Sequence, residues 1–289
     1  MSNPVPYNFG GLEDKFINYE NSKIVVLPVP FDKTSSWIKG SDRGPKAIIE
    51  ASMNMELYDL ETDSEVYKNG IFTAEEIRPS DSEEMIESVY NRVREFIKDG
   101  KFVVTLGGEH TVFLPSIKAH HEIYSDVSIL QLDAHSDMRD SYLDDKYSHA
   151  SVMARVKEIT ENIISVGVRS LDSSELVNIN KNNVFFARDI YDSEGWIRKA
   201  VNKLNKNVYI TLDLDVFDPS IMPSTGTPEP GGLDWYTVTK LLKEVCKKRN
   251  LIGFDVVELC PTENKAPDFV AAKLVYKLLS YKFLLSKES

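Results

Sequence analysis

A chain of 289 residues, 42% hydrophobic and 27% charged, has the composition of an ordinary globular protein and enough length to bury a substantial core. A formal net charge of −11 argues against the basic face that nucleic-acid binding requires, and is compatible with a cationic small substrate. No apolar run is long enough for a bilayer, residues 1–7 read as no secretory signal, and Cys246 and Cys260 are too few for a disulfide framework or a thiolate metal site, so a reduced, cytoplasmic setting is expected.

Strand-like and helix-like segments alternate along the chain. Lys23–Pro28 is an apolar run that predicts a buried strand, and Gly44-Pro45 marks the entry of a helix over Arg43–Asn54. A short strand near Gly70–Ala74 precedes a helix over Asp81–Lys98, opened by Asp81 and Ser82 and closed by Gly100. Strand Phe102–Leu106, helix His110–His121 and strand Val127–Asp133 come next. Helix Ala150–Ile159, strand Ile163–Gly167, helix Ser173–Ile179 and strand Val184–Ala187 follow. Helix Glu194–Asn205, strand Val208–Asp213, helix Asp234–Arg249, strand Leu251–Val257 and helix Pro267–Lys282 complete the alternation.

Strands interleaved with helices predict a parallel sheet covered on both faces, either open and doubly wound or closed into a barrel. No internal repeat, low-complexity tract or linker is visible, so one domain over residues 1–289 is expected. In either architecture ligands gather at the carboxyl ends of the strands.

Charged residues collect at those ends. Val127–Asp133 runs into Asp133, His135 and Asp137, alternate positions that face one side of an extended segment roughly 6.5 Å apart. Taken alone this is an acidic turn, but the pattern recurs. Strand Phe102–Leu106 ends in Gly107-Gly108-Glu109-His110, strand Val208–Asp213 ends in Asp213-Leu214-Asp215, and strand Leu251–Val257 ends in Glu258. Four aspartates converging on one rim repel each other and lose solvation unless divalent cations neutralise them. Mostly carboxylate donors with two imidazoles and no thiolate suit two Mn²⁺ ions, with Co²⁺, Fe²⁺ or Zn²⁺ as other occupants. Such a pair generates hydroxide near neutral pH for attack on an electrophile.

Gly107-Gly108-Glu109-His110, Asp133-Ala134-His135-Ser136-Asp137, Thr211-Leu212-Asp213-Leu214-Asp215-Val216-Phe217-Asp218-Pro219 and Thr225-Gly226-Thr227-Pro228-Glu229 resemble the signature motifs of the ureohydrolases, the family of arginase and agmatinase. The resemblance implies an α/β fold with three α/β/α layers around an eight-stranded parallel sheet. It further implies one cation held by His110, Asp133, Asp137 and Asp213, and another by His135, Asp133, Asp213 and Asp215. A hydroxide bridging the metals would attack the guanidinium carbon, oriented by Asp137. His149 matches the family's proton-shuttling histidine, and Glu258 the acid that pairs with the substrate guanidinium. The family is usually a homo-oligomer, trimeric or hexameric.

Arginases continue from the Asp-x-His-x-Asp motif with groups that grip an α-carboxylate and α-amine, whereas this chain continues Met138-Arg139-Asp140-Ser141-Tyr142. Arg139-Asp140 together with Ser148-His149-Ala150 is similar to a microbial agmatinase branch. Agmatine, cleaved to putrescine and urea, is therefore the expected substrate. Asp140, Tyr142, Asp144 and Glu229 are candidates for its ammonium tail. Arg139 instead suits a carboxylate, so guanidinobutyrate, guanidinopropionate and arginine stay as alternatives, as does a non-catalytic scaffold homologue.

Overall fold

Apolar, β-branched runs form eight strands in a computed structural model that describes residues 6–285; residues 1–5, read above for a signal, lie outside the described residues. The strands are β1 Ile24–Val29, β2 Ile71–Thr73, β3 Phe102–Gly107, β4 Val127–Leu132, β5 Ile163–Val166, β6 Val184–Phe185, β7 Asn207–Asp213 and β8 Asn250–Val257. All neighbours pair in parallel, in the order β2-β1-β3-β8-β7-β4-β5-β6. The sheet is open, which decides between the two architectures that periodicity allowed. Every residue of β1, β3 and β4 is buried, as expected of strands covered on both faces.

The helices are α1 Gly44–Ser52, α2 Ser82–Lys98, α3 Phe113–Ile123, α4 Val152–Lys157, α5 Ala187–Tyr191, α6 Trp196–Lys203, α7 Trp235–Lys248 and α8 Ala266–Leu285. Alternate strand residues divide between two apolar layers. Ile24, Val26, Val104, Leu106, Leu130, Leu132, Ile210 and Leu212 pack with α1, α6, α7 and α8. Val25, Leu27 and Val103 pack with α2, and Ile129 and Tyr209 with α3 and α4. Aspartates cap the longer amphipathic helices: Asp81 accepts from the Glu84 N–H at 2.9 Å and Asp234 from the Thr237 N–H at 2.9 Å.

Some expected elements differ. The helix expected over His110–His121 begins as a 3₁₀ turn, His110–Val112, before α3. Ser173–Ile179 is a 3₁₀ stretch, Ser173–Val177, held by a capping box between Asp172 and Glu175. The strand expected over Val184–Ala187 stops at Phe185, because Ala187 opens α5, a helix too short to show a period.

Register brings the site together. In β4 and β7 Leu132 pairs with Leu212, so Asp133 and Asp213 leave the sheet side by side. Asp213 pairs with Val257, the residue before Glu258. The Glu258 N–H donates to the Gly108 carbonyl at 2.8 Å, which ties the end of β8 to the end of β3. β8 carries an extra residue against β7: Leu251 pairs with Val208 and Gly253 with Tyr209. Such a bulge decides which face all later residues of the strand present.

At the β3 exit, a Cβ on Gly108 would lie 2.0 Å from the Phe31 carbonyl oxygen. This is backbone, which cannot swing aside as a side chain can. Gly108→Ala is expected to destabilise by about 1–3 kcal/mol, the usual cost of overpacking, measured as the shift of a urea-unfolding midpoint.

Candidate metal centre

Four adjacent central strands, β3, β8, β7 and β4, deliver the titratable side chains to one rim. His110 Nδ1 lies 2.9 Å from Asp137 Oδ2, 3.2 Å from Asp133 Oδ2 and 3.6 Å from Asp213 Oδ2. His135 Nδ1 lies 2.9 Å from Asp215 Oδ2 and 3.7 Å from Asp133 Oδ1. Two donor groups have ligand atoms within 4.8 Å of one another: His110, Asp133 and Asp213, and then Asp133, His135 and Asp215. Asp133 belongs to both, with one oxygen turned to each imidazole. Asp213 reaches only the first group. Asp137 is outside both, although its carboxylate touches His110.

Neighbouring groups aim these side chains. Gln131 Nε2 donates to Asp133 Oδ2 at 2.9 Å, and the His135 N–H to Asp133 Oδ1 at 2.6 Å. The Ala134 N–H donates to Asp215 Oδ1 and the Asp215 N–H to Asp213 Oδ1, each at 2.9 Å. Thr211 Oγ1 donates to the Asp255 carboxylate at 2.9 Å and so accepts from His110 Nε2–H at 2.8 Å. Nδ1 of His110 is thus the nitrogen turned to the carboxylates, and it would face a cation once the proton it shares with them is displaced. Gln131 and Asp255 lie inside strands and outside the ligand motifs, and Thr211 opens one of those motifs without a visible role of its own, so the sequence assigned none of them a task.

Two of the acids sit in the left-handed region, Asp137 at φ +52° and Glu258 at φ +66°. Asp137 is held there from both sides. Glu175 Oε1 accepts from Ser136 Oγ and the Met138 N–H at 2.8 Å, and the Asp137 carbonyl accepts from the Met153 N–H of α4 at 3.0 Å. Glu258 is held by its own N–H on Gly108 and by its Oε1, which accepts from the His110 N–H at 2.8 Å.

The electrostatics show a site short of positive charge. Burial, then Asp137 and Asp215 beside it, push Asp133 up to about 7. Burial and the flanking acids Asp215, Asp133 and Glu258 raise Asp213 well above the ordinary carboxylate value. Burial, then Glu109, raise Glu258 likewise. Burial opposes charge on His135, but Asp215 outweighs it and lifts the imidazole to about 10. Burial also pushes Asp215 up, but His135 more than offsets it and holds that carboxylate at about 2. Protons are retained where cations belong, and the oxygen-rich, thiolate-free donor set suits hard or borderline divalent ions.

Beside the rim opens a cleft of about 340 Å³, lined among others by Ser35, Trp37, Ile38, Tyr142, His149, Thr227, Glu229 and Glu258. Glu229 Oε1 stands 4.0 Å from His135 Nε2. Asp140 is not among the residues lining the cleft: its exposed carboxylate accepts from Arg155 Nη2 at 2.9 Å. Arg139 also lines the cleft, 3.6 Å from Asp172 and over the Tyr142 ring. The wall formed by Ser35–Ile38 was missed in the sequence, where it lies far upstream of every ligand motif.

Comparison with known proteins finds relatives along nearly the whole chain. A sequence model of the Arginase family matches residues 22–280. A Synechocystis protein named N(1)-aminopropylagmatine ureohydrolase is 36% identical over 276 residues, covering 91% of this chain and 90% of the relative. An agmatinase of Halalkalibacterium halodurans is 34% identical over 274 residues, 91% and 93% of the two chains. The crystal structure of the agmatine ureohydrolase of Thermoplasma volcanium superposes with a TM-score of 0.85 at 32% identity, covering 96% of this chain and 94% of that one.

Linkage gives a pH test. Asp133, raised from 3.8 to about 7, binds a proton in the folded chain that the unfolded chain has released, so its contribution to stability falls as pH rises across that window. His135, raised from 6.5 to about 10, likewise stabilises at low pH and loses that contribution as pH climbs. Chelated protein is therefore expected to lose melting temperature from about pH 4 to about pH 10, while the gain on adding Mn²⁺ widens over the same range. Differential scanning calorimetry in both states checks this, and a constant gap refutes the charge balance. Asp133→Asn, which removes charge from both donor groups, should strip metal, read as the metal-to-protein ratio after gel filtration.

Proposed function

The chain belongs to the Arginase family, and on that premise we propose that it hydrolyses the guanidinium of agmatine to putrescine and urea. The observation that carries the reading is Asp133 with one oxygen beside each imidazole, which supports a two-cation site on these strand ends. His110, Asp133, Asp137 and Asp213 would hold one cation, and His135, Asp133, Asp213 and Asp215 the other. When bound, a pair of divalent cations supplies the positive charge these carboxylates lack and a water acidified toward neutral pH. Carboxylate-rich donors support manganese as the occupant.

The residues around that centre divide the remaining work. Glu258 has Oε1 occupied by the His110 N–H, which leaves Oε2, 3.8 Å from where a Gly226 Cβ would stand, to pair with the substrate guanidinium. Asp137 accepts a hydrogen bond from the nucleophile and aligns it with the guanidinium carbon. As the new C–O bond forms, the C–N bond to the alkyl chain breaks, and His149 gives the departing nitrogen its proton. Water plus the guanidinium cation thus become urea plus an alkylammonium ion, with charge conserved. Tyr142 and Glu229 would receive the ammonium tail through its charge, a role that their position on the cleft wall supports.

A second reading is favoured by the 36% identity to the Synechocystis N(1)-aminopropylagmatine ureohydrolase, a name that denotes a longer cationic substrate. Trp37, 70% exposed on the cleft wall, could flank such a tail. The two cysteines and the family resemblance support a cytoplasmic homo-oligomer in polyamine synthesis.

A urea-release screen of Mn²⁺-loaded protein decides among agmatine, N(1)-aminopropylagmatine, arginine, guanidinobutyrate and guanidinopropionate. The cationic amines are expected to dominate, and preference for a guanidino acid would overturn the reading. His149→Ala should keep its metal and lose roughly 100-fold or more in kcat; undiminished turnover would remove the shuttle assignment.

A further inference from the structure

A threonine far from every ligand motif touches the proposed proton carrier. We propose that Thr34, held by Glu109, is the positioning residue that fixes the tautomer of His149 and leaves Nε2 as the nitrogen that exchanges protons in the cleft. The inference rests on the reading of His149 given above.

Glu109 is fully buried behind the rim. Its Oε2 accepts from the Lys33 N–H at 2.8 Å and the Thr34 N–H at 2.6 Å. Its Oε1 accepts from Thr34 Oγ1 at 2.9 Å and from Thr111 Oγ1 at 2.5 Å. Four donors fill the lone pairs of one carboxylate, so the single hydroxyl proton of Thr34 is committed to Glu109. Thr34 Oγ1 can then only accept from its other neighbours. The His149 N–H donates to it at 3.0 Å, and His149 Nδ1 stands 3.2 Å away. A bare Nδ1 lone pair would face an oxygen with no proton to offer. Nδ1 must therefore carry the hydrogen, and Nε2 of the neutral ring keeps the free lone pair.

The segment bearing Thr34 is pinned at both ends. Asp32, just before it, accepts from Ser35 Oγ at 2.5 Å, the Gly40 N–H at 2.6 Å and the Ser41 N–H at 3.2 Å. On the other side of His149, the Tyr142 ring meets the imidazole edge-on at 5.7 Å. The imidazole is thus aimed by two cleft walls rather than by any metal ligand. An arrangement that fixes which nitrogen is protonated removes one of two states the catalyst would otherwise have to sample.

The test uses the full chain loaded with diamagnetic Zn²⁺ and labelled with ¹⁵N-histidine, with the His149 signal assigned by its absence in His149→Ala. Long-range ¹H–¹⁵N correlation should show the Nδ1–H tautomer in the parent and in Thr34→Ser, and a shift toward Nε2–H in Thr34→Val. In Mn²⁺-loaded enzyme, Thr34→Val should lose tenfold or more in kcat on agmatine, a part of the general acid–base contribution, with KM and metal content unchanged and Thr34→Ser restoring most of the rate. An Nε2–H tautomer in the parent, or full kcat in Thr34→Val, overturns the proposal. If Thr34→Val fails to fold, the parent spectrum alone decides. If the parent releases no urea, the functional reading falls while the tautomer still answers this question.

Discussion

Too many negative charges in too dry a place is the condition around which this structure is arranged. Asp133, Asp213 and Asp215 are buried at the ends of adjacent strands, with Glu258 on the next one. Desolvation alone would return such groups to the neutral form, and mutual repulsion adds to it. His110 and His135 offset part of the excess, and the remainder is what makes the rim a receptor for divalent cations. The metal-free fold is consequently held partly by protons occupying the places of ions.

Parallel register is what concentrates the charge. Leu132 beside Leu212, and Asp213 beside Val257, set three strand ends level, and the Glu258–Gly108 hydrogen bond adds the fourth. The acids then need aiming, and that is done from inside the sheet by Gln131 and by the Thr211–Asp255 pair, and from outside by Glu175 and by backbone N–H groups. Arg169 performs a similar service for the long segment after β7: its guanidinium donates to the carbonyls of Asp215, at 2.6 Å, and Glu229, at 2.8 Å, fixing the second metal group to the cleft wall.

The strands and the ligand motifs were legible in the sequence for a simple reason. A buried parallel strand is a continuous apolar run, and carboxylates at alternate positions after it stand out against that run. What could not be read was anything set by contact across the fold. Thr34 lies 115 residues from His149 and has no signal of its own, while Glu109 sat inside a recognised motif without a visible task. Asp140 looked like a substrate acid because it follows Asp137 by only a few residues. Its carboxylate instead meets Arg155, a contact across the fold that the spacing could not show. Short 3₁₀ stretches and α5 escaped because a single turn has no periodicity.

The positive φ angles at Asp137 and Glu258 carry a consequence for the chain's evolution. A left-handed conformation costs a side-chain-bearing residue on the order of 1 kcal/mol that glycine would not incur. Removing either carboxylate would relieve crowding of like charge but would also forfeit its contact with His110, so the backbone is where glycine at position 137 or 258 would gain. On the roles proposed for these two acids, folding and chemistry pull in opposite directions there, and a search for hardier variants would work against activity.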